Sequence, residues 1–218
     1  RLPERRGFAR SPRRAGGQRG CRRRSAGPAR RAGNKQDECA SLAFQAWAAH
    51  LRGDAGAQAA RAAFAQAEAL EQEIHPQIRY LYSLRGIQHA DHLRRMGEAA
   101  TARAVTEANL KICEENHWPD NLSHSHRVLG DLDADAGQPE STQAHYDAAL
   151  KIARGISDRA TLIEALLARG RFYARHLQDL ASARSDLNEA LGYALAGGYR
   201  VYECDIRVGL AWAALVAN

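Results

Sequence analysis

Apolar side chains recur along this chain at two scales. Within short windows they fall three and four residues apart, as in Ala144, Ala148, Ala149 and Ile152, the spacing of an amphipathic helix. Over longer distances Leu70, Leu110, Leu150 and Leu191 recur at intervals of 40, 40 and 41, each preceded by a small or polar residue: Ala69, Asn109, Ala149 and Ala190. Two further series keep step with them. Gly53, Gly97 and Gly137 are 44 then 40 apart, and Ile112, Ile152 and Tyr193 are 40 then 41 apart. A period of about 20–50 residues marks a solenoid, in which each unit buries its apolar face only against its neighbours.

From Asp37 onward the chain is rich in Ala, Leu, Glu and Gln, all good helix formers, and its three prolines there, Pro76, Pro119 and Pro139, read as helix starts. Nine helices are expected, over residues 38–52, 58–74, 77–96, 98–116, 120–136, 139–154, 158–177, 179–195 and 200–217. Asp158 and Asp120 are expected to cap the helices that begin beside them. No stretch alternates long enough with the two-residue period of a strand. The fold class is therefore all-α, an antiparallel helix-pair solenoid over residues 37–218.

Charge divides the chain in two. The 218 residues carry a formal net charge of +6, but residues 1–36 hold 13 of the 31 Lys and Arg and one of the 25 acids, Glu4, so the rest of the chain carries −6. Residues 1–36 consist largely of Arg, Gly, Ala, Ser and Pro, with Leu2 and Phe8 the sizeable apolar side chains, too few to bury a core. That composition predicts a disordered Arg-rich tail. It could neutralise phosphates in a salt-dependent way, yet no aromatic side chains are interleaved to stack on bases, which disfavours a nucleic-acid role.

Cys21, Cys39, Cys113 and Cys204 show no CxxC pair, which fits neither a disulfide framework nor a zinc site and favours a reducing compartment. The longest apolar run, Leu210 to Ala217, is far short of the ~20 residues of a membrane span. The N-terminus has neither an initiator Met nor the apolar stretch of a secretory signal, which suggests a fragment or a misassigned start. A cytoplasmic location is expected.

Val128-Leu129-Gly130, Gly137, Tyr146 and Ala149-Leu150 together resemble a tetratricopeptide repeat. In that family a Leu-Gly pair on the first helix admits the second helix closely, a Gly ends the first helix, and an aromatic residue then Ala fill the contact with the next unit. The likeness recurs at Ala90, Gly97, Ala102 and Leu110, at Ala183, Leu187, Ala190 and Leu191, where Gln178-Asp179 replaces the turn glycine, and at Ala46 with Gly53. The period of 40 exceeds the family's usual length of about 34 and is accommodated by added helical turns. Arg79-Tyr80-Leu81-Tyr82-Ser83-Leu84-Arg85-Gly86 and the long repeats after it are also similar to the arrays that follow the nucleotide-hydrolysing module of bacterial signal-transduction ATPases. The resemblance implies an interaction module within a longer bacterial protein that carries further repeats or an NTPase. This chain has no GxxxxGK[ST] sequence.

Candidate chemistry is thin. His89 and His92 share a helix face but lack a third ligand, so a solvated or inter-helix hydrogen-bonded role is favoured over a metal. His124 and His126 lie on different faces. Cys113 and His117, four apart, could form a dyad, but the thiol sits in the apolar series Leu110, Ile112, Cys113, where a buried inert cysteine is the common case. Trp47, Trp118 and Trp212 read as packing residues at repeat junctions. No metal, cofactor or catalysis is expected.

What remains is a groove. By the resemblance, the first helices of successive units line the concave face and project Asp91, Arg94 and Arg95; His124, Arg127, Asp131 and Asp135; and Phe172, Arg175 and His176. Asp91 and Asp131 are 40 apart in the sequence, as are Arg95 and Asp135. Such a ladder suits an extended peptide or a partner helix. A protein- or peptide-binding scaffold or sensor is the expected function. The rivals are a nucleic-acid-associated protein acting through the Arg-rich arm and a regulatory array that answers a signalling peptide. The final helix, aligned here with Leu210 and Ala211 at the positions of Leu129 and Gly130, has Val208, Leu210, Trp212 and Leu215 around much of its surface. An exposed apolar patch, and self-association through residues 200–217, are expected there.

Overall fold

A computed structural model describes residues 34–217, and among them every regular element is helical. Nine helices follow one another: α1 (Lys35–His50), α2 (Asp54–Ile74), α3 (Ser83–Arg95), α4 (Ala99–Glu115), α5 (Pro119–Asp135), α6 (Pro139–Gly155), α7 (Arg159–Phe172), α8 (Leu180–Gly197) and α9 (Arg200–Leu215). A five-residue π-helical turn, Tyr173–Leu177, extends α7. Residues 1–33 of the Arg-rich segment, and with them the expected tail, lie outside the described residues. Asn34 caps α1 by accepting from the amides of Gln36 and Asp37.

Helices pair as α1/α2, α3/α4, α5/α6 and α7/α8, and α9 packs on α8. The odd-numbered helices also touch one another in succession, α1 with α3, α3 with α5, α5 with α7 and α7 with α9. They therefore form the inner layer of an all-α solenoid. The core is correspondingly distributed: one apolar cluster surrounds Phe64 and Leu81, another Ile87, Val105 and Val128, and another Ile163, Leu166 and Leu187.

The joints have a shorter period than the sequence series suggested. Left-handed backbone recurs at Gly97, His117 and Gly137, and again at Gln178 and Gly198, in steps of 20. At four of these the following amide, of Glu98, Trp118, Gln138 or Tyr199, donates to the carbonyl five residues back at 2.9–3.0 Å. This is the Schellman closure, which satisfies the last carbonyls of a helix and turns the chain sharply. His117 and Gln178 adopt the left-handed conformation despite their side chains. The α6–α7 joint differs, with Ile156 extended and Asp158 capping α7 through the amides of Ala160 and Thr161, as expected.

Three local expectations are corrected. Pro76 starts no helix: it sits in a turn closed by the Ile78 amide on the His75 carbonyl, and α3 begins only at Ser83. Leu81 between them is fully buried, and Asn109 holds this stretch, accepting from the Ser83 amide at 2.7 Å and donating to the Leu81 carbonyl. Asp120 makes no capping bond, since Pro119 already opens α5 and Trp118 is its N-cap. The register of α9 shifts by two residues, because Gly209, not Ala211, is the buried close-contact position, facing Leu187. Leu210 is half-buried, while Val201, Val208 and Leu215 are exposed by 76%, 59% and 72%. No helix among the described residues is long and apolar enough to cross a membrane.

Candidate functional site

The inner layer encloses a cavity of about 650 Å3 that runs from Trp47 and Leu51 at one end to Tyr199 and Tyr202 at the other. Nine of the ten residues singled out in the sequence line it: Asp91, Arg94, Arg95, Arg127, Asp131, Asp135, Phe172, Arg175 and His176. The tenth, His124, stands behind the wall, its Nδ1 3.3 Å from Glu164. The helical period explains the convergence, since residues three, four and seven apart on the inner helices share a face.

The floor is a linked ionic network. Arg94 donates to Asp135 at 2.7 Å and contacts Asp91 at 3.3 Å, and Arg127 donates to Asp131 at 2.8 Å and approaches Glu164 at 3.7 Å. Tyr146, reaching in from α6, donates its hydroxyl to Asp131 at 2.7 Å, and Tyr202 of α9 donates to Glu164. Every acid on the floor thus has a donor, which is what burial of charge requires.

The acids of the floor differ in depth. Asp91 is 3% exposed and Asp131 half-buried, so neither is a free surface charge. Asp91 is covered because α1 lies across it: His50 Nε2 is 3.7 Å from its carboxylate, and Trp47 stacks on the His50 ring at 4.7 Å. Burial works against ionisation of Asp91, but the His50 contact and the charges of Arg127, Arg94 and Arg95 hold its carboxyl well below the usual range. Burial likewise opposes ionisation of Glu164, yet His124, Arg127 and Tyr202 bring it down to about 2. Arg127, despite its burial, is held charged by Asp131, Asp91 and Glu164.

The histidines between helices are structural rather than solvated. His50 and His92 meet Nδ1 to Nδ1 at 3.2 Å between α1 and α3, and His126 meets His145 at 3.1 Å between α5 and α6. His89 is buried and stacks on Phe64 at 4.7 Å. Burial lowers the basicity of His89 to about 4, with His92 adding to the effect, and it also lowers His92, His126 and His145. Cys113 is fully buried and its thiol is pushed up to about 11 by that burial, far from the range of a nucleophile. Trp118 stacks on Tyr82, whereas Trp47 walls the cavity and the half-exposed Trp212 lies beneath Arg175.

Sequence reasoning missed Trp47, Tyr146, Glu164, Arg171 and Tyr202 as lining residues. For Arg171 a signal existed, since the interval from Asp131 to Arg171 equals that from Asp91 to Asp131. The chain matches no protein-family model and no curated protein.

Proposed function

We propose that this protein is a binding scaffold whose inner surface receives a protein or peptide segment, and that it performs no catalysis. The observation that carries this reading is the cavity itself: charged and aromatic side chains at equivalent positions of successive inner helices open into one continuous space, above largely buried ion pairs. A groove built of fixed charges and aromatic ends selects an extended segment by charge and side-chain spacing.

The tetratricopeptide likeness supports the same reading. Gly130 and Gly170, 40 apart, each let the second helix of their pair approach so closely that a β-carbon would meet Tyr146 or Leu187 at under 3.0 Å. A scaffold of this kind suits bacterial signal transduction, and its three unpaired described cysteines suit a cytoplasmic protein.

Selection of random peptides against the full chain tests the reading. Peptides should be captured, and Arg95→Glu, on the exposed rim, should weaken capture by about tenfold while leaving the melting curve nearly unchanged. Absence of capture, or capture indifferent to this change, would falsify the groove.

A further inference from the structure

We infer that the groove takes an acidic segment, with side-chain carboxylates of the partner seated on Arg171 and Arg175; the inference rests on the binding role proposed above. Six arginines and five carboxylates line the cavity. All five carboxylates are already engaged: Asp91 and Asp135 by Arg94, Asp131 and Glu164 by Arg127, and Asp205 by Arg171, at 2.7–3.7 Å. A cationic segment would therefore meet carboxylates whose charge is already offset by an arginine.

Two arginines keep unused donors. Arg175 has no carboxylate partner among the described residues, and its guanidinium lies over the Trp212 ring at 5.4 Å. Arg171 spends one terminal nitrogen on the Asp205 carbonyl at 3.0 Å, while its Nε–H is buried and donates to nothing. The Nε–H of Arg127, deeper in the same wall, faces Glu164 at 3.7 Å without a hydrogen bond. A planar guanidinium with open donors fits a carboxylate, whose two oxygens accept in parallel.

The repeat places these two arginines. Asp91, Asp131 and Arg171 follow one another at steps of 40, and so do Arg95, Asp135 and Arg175. Both ladders end in arginine, one turn apart, where the π-helical turn after Phe172 carries Arg175 out over α9. The cationic end of the groove is thus set by the third rung of each series.

Random peptides selected on the full chain should be enriched in Asp and Glu. Titration of one selected peptide against its Asn/Gln counterpart should show about tenfold weaker binding of the amide form. Arg175→Gln should weaken the acidic peptide to a similar degree and leave the amide peptide unaffected. Peptides that are captured, are sensitive to Arg95→Glu, and show no acidic preference would overturn this inference while the groove stands. Equal weakening of both peptides by Arg175→Gln would overturn it too, and a failure to capture any peptide removes the groove and the inference together.

Discussion

The ring of Tyr146 on α6 lies against Gly130 on α5 so closely that a β-carbon at Gly130 would sit 2.6 Å from the ring's Cε1, and the same residue's hydroxyl holds Asp131. One contact therefore fixes the spacing of a helix pair and positions a groove carboxylate. Gly130→Leu should cost about 1–3 kcal/mol by forcing the helices apart, seen as a lower thermal midpoint. An unchanged midpoint would mean that α5 and α6 do not meet here.

Buried and exposed carboxylates of the same groove should behave oppositely. Asp91→Ala leaves Arg94 and the His50 contact without their partner and should destabilise by about 3–5 kcal/mol. Asp135→Ala, at a side chain 54% exposed, should change stability by less than about 0.5 kcal/mol. Chemical denaturation of the two variants decides between this arrangement and a uniformly solvated surface.

Acid should loosen the array before it protonates its carboxylates. His89, His92, His126 and His145 all have depressed basicity in the folded chain, so the unfolded chain binds more protons below its ordinary imidazole value near 6.5. Their contribution to stability is complete above that value. It is lost progressively as pH falls toward about 4, the value of His89. Urea titrations from pH 7.5 to 4.5 should show a falling free energy of unfolding, and His89→Leu should flatten the slope.

Neighbouring residues of α9 test its register. Val208 is exposed and Gly209 faces Leu187, so Val208→Glu should be tolerated while Gly209→Val should lower the melting temperature. The reverse order would restore the alignment with Ala211 at the contact.

Thiol accessibility should separate the described cysteines in a Cys21→Ser background. Cys204 is exposed and should react with a thiol reagent in the native protein, whereas the buried Cys39 and Cys113, both raised to about 11, should react only on unfolding.

The repeat was legible in the sequence because its markers are chemically forced. A left-handed joint favours glycine, and Gly97 and Gly137 announce theirs. His117 hides the joint midway between them, so a half-step of 20 reads as a period of 40. The inner face was legible because the tetratricopeptide resemblance assigns the first helix of each pair to it, and helical spacing then puts Asp91 with Arg95, and Asp131 with Asp135, on one face of each. Depth was not, because what buries Asp91 is His50 and Trp47, which belong to a different helix pair far back in the chain. Pro76 misled because a proline suits a turn as well as a first helical residue, and the choice was made by Asn109 gripping Ser83 from the next helix.

The half-step joints set a grammar for length change. Each closure reverses the direction of the chain, so losing a single half-repeat would exchange inner and outer layers for everything downstream. Losing residues 99–138 would instead join Glu98 to Pro139, each of which stands at the mouth of an even-numbered helix. Polarity would be kept, and the groove would shorten by one rung. Variation in this lineage should thus come in whole repeats, and groove length should be quantised in the same unit.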